Sequence, residues 1–135
     1  MSRKFNVAVV GATGAVGETM LSILEQRRFP VDKVFAVASE RSAGTRIPFA
    51  GTHLQVKDLN TFDFSDVQIG LFSPGASVSK VFAPKAAEAG CVVIDNTSQF
   101  RYDDDIPLVV PEVNPGAIAQ YRNRGIIANP NCSTI

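Results

Sequence analysis

A doubly wound α/β fold, with a mainly parallel sheet and helices on both of its faces, is predicted by three observations. Short apolar runs alternate with stretches of helical spacing along the whole chain. The first of these runs leads directly into a loop holding three glycines. The hydrophobic share is 45% of 135 residues, enough for one domain with its own core and too much for a disordered chain.

Taken in order, Phe5 to Val10 reads as a buried first strand. Val16, Met20, Ile23 and Leu24 follow at helical spacing, with Pro30 beyond the helix end. Val34 to Ala38 is a second strand. Ile47 to Phe49 and His53 to Val56 flank Ala50-Gly51-Thr52 as a small hairpin, which Pro48 places at a sheet edge. Val67 to Phe72 is a further strand and ends at Ser73-Pro74-Gly75. From Ser77 to Ala89, Val78, Val81, Phe82 and Ala86 recur at helical spacing, and Pro84 either kinks this helix or begins a second one. Gly90 closes it before a buried strand from Cys91 to Asp95. Asp103 to Asp105, Pro107 and Pro111 belong to loops. Pro115 to Arg122 suggests a short helix, Ile126 to Ala128 a last strand, and another helix is expected to begin after Cys132.

The charges balance, with 13 Lys and Arg against 13 Asp and Glu. No basic field for nucleic acid and no polybasic membrane patch follow from that balance. No stretch is apolar for long enough to span a bilayer, and the start lacks a signal-peptide pattern. Two cysteines make no disulfide framework here, so a reducing cytoplasm is the expected compartment. No metal site is expected.

The loop Gly11-Ala12-Thr13-Gly14-Ala15-Val16-Gly17 closes the first strand and opens the first helix. In a Rossmann-type domain one such glycine permits the turn, one lets backbone approach a pyrophosphate, and one allows close helix–strand packing. The pyrophosphate then meets free N–H groups at the positive end of the helix. A bare glycine turn is the simpler alternative, but the strand before and helix after favour a dinucleotide. The second strand ends in Ser39-Glu40-Arg41-Ser42, where an NAD enzyme would usually carry a ribose-binding carboxylate. Ser39 leaves room for a 2′-phosphate, and Arg41 offers it a fork of donors, with Ser42 beside them. Glu40 could itself accept from a ribose, and a solvated charged turn is the plain alternative. NADP(H) is the favoured cofactor.

Cys132 follows a strand and a Pro-Asn turn and precedes a plausible helix start, a position that favours thiolate. It is suited to forming a thioester from an acyl phosphate. Cys91, beside Val92-Val93-Ile94, reads as a buried structural thiol. His53 reads as a surface residue of the hairpin.

Five segments together resemble the aspartate-semialdehyde dehydrogenase family: Gly11 to Gly17, Asp95-Asn96-Thr97-Ser98, Phe100-Arg101, Val110 to Asn114, and Asn129 to Ile135. The resemblance covers the whole chain, and the Asn-Cys-Ser-Thr segment with the Asp-Asn-Thr-Ser and Phe-Arg segments is its most specific part. It implies that Cys132 attacks β-aspartyl phosphate to leave a thioester, which NADPH reduces to the semialdehyde. It further implies that Asn131 positions the substrate and Arg101 binds its phosphate. A surface arginine solvated near Asp103 to Asp105 is the bland alternative for Arg101. Ser73, Pro74 and Gly75 would border the nicotinamide, and Asn96, Thr97 and Ser98 would lie along the cleft. In the family a second domain supplies the acid/base histidine, further substrate contacts and most of a dimer interface, so the full-length protein is expected to be a homodimer or homotetramer. Residues 1–135 are then a cofactor-binding domain that does not turn over alone. A stand-alone dinucleotide-binding module and a catalytically silent paralogue are the rival readings.

Overall fold

The computed structural model describes residues 4–110 and 112–130. Six strands form a wholly parallel sheet: β1 (Phe5–Val10), β2 (Val31–Ala38), β5 (Lys57–Asp58), β6 (Ile69–Phe72), β7 (Val92–Asp95) and β8 (Ile126–Ala128). Their spatial order is β5-β2-β1-β6-β7-β8. The chain therefore moves outward in one direction from β1, returns, and moves outward in the other from β6.

Alternation along β1 explains why helices cover both faces. Val7 and Val9 point into a cluster with Leu21 and Leu24 of α1 (Ala15–Gln26), Ala36 and Ala38. Ala8 and Val10 point into the opposite cluster with Ala83 and Ala86 of α2 (Ala76–Glu88), Phe64, Phe72, Val93 and Ile126. A strand covered on both sides has no solvent face, hence the unbroken apolar run of β1. The doubly wound expectation holds.

Details differ from the sequence reading. The inward stripe of α1 is Gly17, Leu21 and Leu24, while Val16 and Ile23 are exposed. The stripe starts on a glycine, which carries no hydrophobic signal, so apolar spacing alone starts it one residue early, at Val16. Pro84 lies inside a single helix and begins no second one. Val81 of that helix is also exposed. The second strand starts at Val31, and Lys57–Asp58 adds a short edge strand that no apolar run announced. Residues 115–123 form a 3-10 helix with no buried residue.

The hairpin is present as β3 (Arg46–Phe49) and β4 (Thr52–Gln55), in a separate two-stranded sheet with Pro48 opposite His53. Ala50 and Gly51 make the turn, both with positive φ, as a two-residue hairpin connection with the right twist requires. The Glu25 carboxylate of α1 accepts from the Ala50 N–H. Ile47, Phe49 and Leu54 pack against the α1-side cluster.

Segment 107–109 lies beside β8 and runs parallel to it. Leu108 bridges to Ala128, Val109 N–H donates to the Ala128 carbonyl (3.0 Å) and Ala128 N–H donates to that of Pro107 (2.9 Å).

Candidate functional site

The winding reverses between β1 and β6, and there the loops after their carboxyl ends part to opposite faces of the sheet. Open α/β sheets bind ligands in such a crevice. Backbone bonds stitch the crest together. The Gly11 and Ala12 N–H groups donate to the Val37 carbonyl (2.8 and 3.2 Å), and Ser73 N–H donates to that of Val10 (2.9 Å). The Asn96 N–H donates to the Phe72 carbonyl (2.8 Å), and Asn129 N–H to that of Asp95 (2.9 Å).

The three glycines divide their tasks. Gly11 has φ +86°, and a Cβ there would lie 2.7 Å from the Ser73 carbonyl oxygen. It serves both the turn and the approach of the two loops. A Cβ on Gly17 would run into the backbone of Gly11 and Ala12, so Gly17 sets the packing of α1 on the loop. Gly14 has neither constraint: its φ is −82°, and a Cβ would find only the Gly11 carbonyl oxygen, at 3.5 Å. The protein itself does not require glycine there.

Gly14 is the N-cap of α1 and Gly75 that of α2, and no side chain caps either helix. The first-turn N–H groups of both therefore face the crest without the usual Ser, Thr, Asp or Asn acceptor. Gly75 has φ +99° and reaches its conformation without crowding.

After β2 the chain turns through Ser39 to Ala43, with Ser42 N–H and Ala43 N–H donating to the Ser39 carbonyl (2.9 and 3.1 Å). Ser39, Glu40 and Arg41 are exposed, and Ser42 Oγ lies 3.4 Å from Thr13 Oγ1. The glycine loop and the post-β2 turn thus meet, as one cofactor site would need. Ala12 is buried beneath the loop, whereas Thr13, Ala15 and Val16 are exposed at its surface.

Farther along the crest, Arg101 donates through Nε to the Asn129 carbonyl (2.7 Å) and through Nη2 to the Asn96 carbonyl (3.1 Å). Asn129 Nδ2 donates to Asn96 Oδ1 (3.1 Å). Arg101 is therefore part-buried and joins the turns after β7 and β8, so the picture of a solvated arginine beside Asp103 to Asp105 is incorrect. Arg124 takes that place, 3.5 Å from Asp105 and 3.9 Å from Asp103. The side-on edge of the Arg101 guanidinium is occupied by backbone, and a bidentate anion contact would use its Nη1–Nη2 edge.

Beneath this turn Asp95 is fully buried. Its Oδ1 accepts from Ser79 Oγ (3.0 Å) and Thr97 N–H (3.0 Å), and its Oδ2 accepts from Thr97 Oγ1 (2.9 Å). Sequence reasoning included Asp95 in a family-like segment and Ser79 in a helix, and gave neither a role. The signal was a carboxylate ending an apolar strand just before Asn-Thr-Ser.

Cys91 is buried with its Sγ where a Cβ on Gly70 would come within 3.0 Å, and burial pushes its thiol up to about 12. Asn131 and Cys132 lie outside the described residues, directly after Asn129 and the buried Pro130. His53 is exposed in the hairpin.

Residues 6–121 match the family described as semialdehyde dehydrogenase, NAD binding domain. The chain is 64% identical over its whole length to the aspartate-semialdehyde dehydrogenase of Shewanella violacea, spanning 40% of that protein. It is 65% identical over its whole length to aspartate-semialdehyde dehydrogenase 2 of Vibrio cholerae, again spanning 40%. The crystal structure of the Vibrio cholerae aspartate semialdehyde dehydrogenase II complexed with ASA superposes with TM-score 0.96 at 65% identity, covering 98% of this chain and 44% of that one. The Candida albicans aspartate semialdehyde dehydrogenase with NADP gives 0.79 at 27% identity, covering 98% and 44%.

Proposed function

Since the chain belongs to the semialdehyde dehydrogenase family, through its NAD-binding domain, we propose that it forms the NADP(H)-binding domain of an aspartate-semialdehyde dehydrogenase. The observation that carries this reading is the α1 N-terminus: uncapped by any side chain, at the crevice where the winding reverses, with a glycine at position 14 that the protein's own packing does not demand. Such an end offers N–H groups and a positive dipole to a pyrophosphate.

The preference for NADP over NAD rests on the neutral Ser39, the guanidinium of Arg41 and the nearness of Ser42 to Thr13. A 2′-phosphate suits donors and repels a carboxylate. Ser73, Pro74 and Gly75, with Asn96 and Thr97 beyond them, are assigned to the nicotinamide end, because they crown β6 and β7 on the far side of the crevice from β2.

The substrate reading follows from the relatives' names together with Cys132. In the biosynthetic direction the Cys132 thiolate attacks the acyl carbon of β-aspartyl phosphate. A C–S bond forms, the C–O bond to phosphate breaks, and phosphate leaves with its electron pair. The cofactor, when bound, would supply the hydride that takes the acyl group to the aldehyde level, and the C–S bond then breaks with its electron pair left on sulfur, freeing the semialdehyde and returning the Cys132 thiolate. Asn131 is assigned to orienting the substrate, and Arg101 to neutralising phosphate through its outer edge while its inner edge holds the two strand-end turns. Titration of the chain with NADPH, followed by nicotinamide fluorescence, tests the cofactor reading. Saturable binding is expected, and no binding at millimolar cofactor would overturn it.

A further inference from the structure

We infer that Asp95 is a positioning residue for the nicotinamide half of the site, acting through Ser79 and Thr97. The inference rests on the dinucleotide reading above and assigns a task to a group that touches no ligand. A buried carboxylate is unfavourable unless hydrogen bonds replace its water, and an apolar side chain at the end of β7 would fill the space without that penalty. Asp95 is nonetheless fully buried and accepts three hydrogen bonds at 2.9–3.0 Å.

The three donors belong to two residues, Ser79 and Thr97. Ser79 is itself fully buried and lies in the first turn of α2, whose uncapped N–H groups open onto the crevice. Thr97 is gripped twice, by its backbone N–H and its hydroxyl, and this fixes the turn that follows β7. The preceding residue, Asn96, then offers its carbonyl to Arg101 and its amide oxygen to Asn129. One carboxylate thus sets the start of α2 against the turns after β7 and β8. Among the described residues, the adenosine half, built on the glycine loop and the post-β2 turn, gives it no side-chain hydrogen bond.

That separation makes the role measurable in the whole chain. Asp95→Asn replaces one accepting oxygen by an NH2 group that cannot receive from Ser79 or Thr97, and Ser79→Ala removes the link to α2 alone. NADPH and adenosine 2′,5′-bisphosphate, which carries only the adenosine end, are titrated into each variant. Both variants are expected to weaken NADPH about tenfold, in line with the loss of a hydrogen bond to a charged group, and to leave the bisphosphate affinity unchanged. Thr97→Val is expected to behave likewise and Thr97→Ser to restore NADPH binding. Equal losses for both ligands would reduce Asp95 to a structural residue, and unchanged NADPH affinity would dismiss the inference altogether. Should Asp95→Asn fail to fold, Ser79→Ala decides the question. An unmutated chain that binds no NADPH would instead sink the dinucleotide reading, a failure visible before any variant is made.

Discussion

Gly17 rests on the backbone of Gly11 and Ala12 so closely that a Cβ on it would lie 2.7 Å from the Ala12 Cα and would overlap the Gly11 carbonyl oxygen. Backbone cannot step aside as a flexible side chain can. Gly17→Ala is therefore expected to destabilise the chain by about 1–3 kcal/mol, the range for forced overpacking. Gly14→Ala should cost no more than about 1 kcal/mol, since its Cβ has room and the only loss is that alanine is a poorer N-cap than glycine. The same substitution should weaken NADPH binding by crowding the pyrophosphate. Urea unfolding and cofactor titration of the two variants check the contrast, and equal stabilities would contradict it.

NADPH is expected to bind more tightly than NADH. Arg41→Ala should narrow the difference by roughly 1–3 kcal/mol, the range for a hydrogen bond to a charged group. Parallel titrations with both cofactors measure it. Equal affinities in the unmutated chain would place Glu40 on the ribose instead of Arg41 on a 2′-phosphate.

The two cysteines should differ in reactivity. Cys91 is buried and its thiol is held protonated by that burial. Limiting iodoacetamide at neutral pH, followed by peptide mapping, is expected to modify Cys132 and spare Cys91. Modification of Cys91 first would remove Cys132 from its assigned role.

Cys91 also gives the fold a pH dependence with a definite sign. Its folded-state value is raised from 9.0 to about 12 by desolvation. Below pH 9 both folded and unfolded thiols are protonated, and the contribution to stability is fully present. As pH rises from 9 to about 12 the unfolded chain releases a proton that the folded chain retains, and stability falls. Cys91→Ala should lack this component, so the stability difference between the two proteins should shift against the unmutated chain across that window. A difference that stays constant from pH 8 to 11 would show that the thiol is not held as described.

Most strands were legible because a parallel sheet covered on both faces writes continuous apolar runs such as Val7 to Val10. The glycine loop was legible because its spacing falls between such a run and a helix. Other features left little trace. Lys57–Asp58 pairs with β2 through backbone alone, and neither side chain signals a strand. Gly17 and Ala83 face inward because close packing needs small residues, and periodicity weighted by hydrophobicity overlooks them. The contact of Arg101 with Asn129 joins residues 28 apart in the chain, which local pattern cannot foresee. Asp95 runs against the expectation that charged residues stay outside, and only the fold brings the three donors around it.

The segment at Leu108 bears on how the molecule behaves in a crowd. A sheet whose outermost strand is long and bare invites another chain to continue it. On one flank β5 is two residues long, too short to template a partner. On the other, Pro107 to Val109 lie parallel beside β8 and occupy the N–H and the carbonyl of Ala128. Among the described residues, then, one margin of the sheet offers only two residues to pair with, and the other has the backbone of Ala128 already engaged.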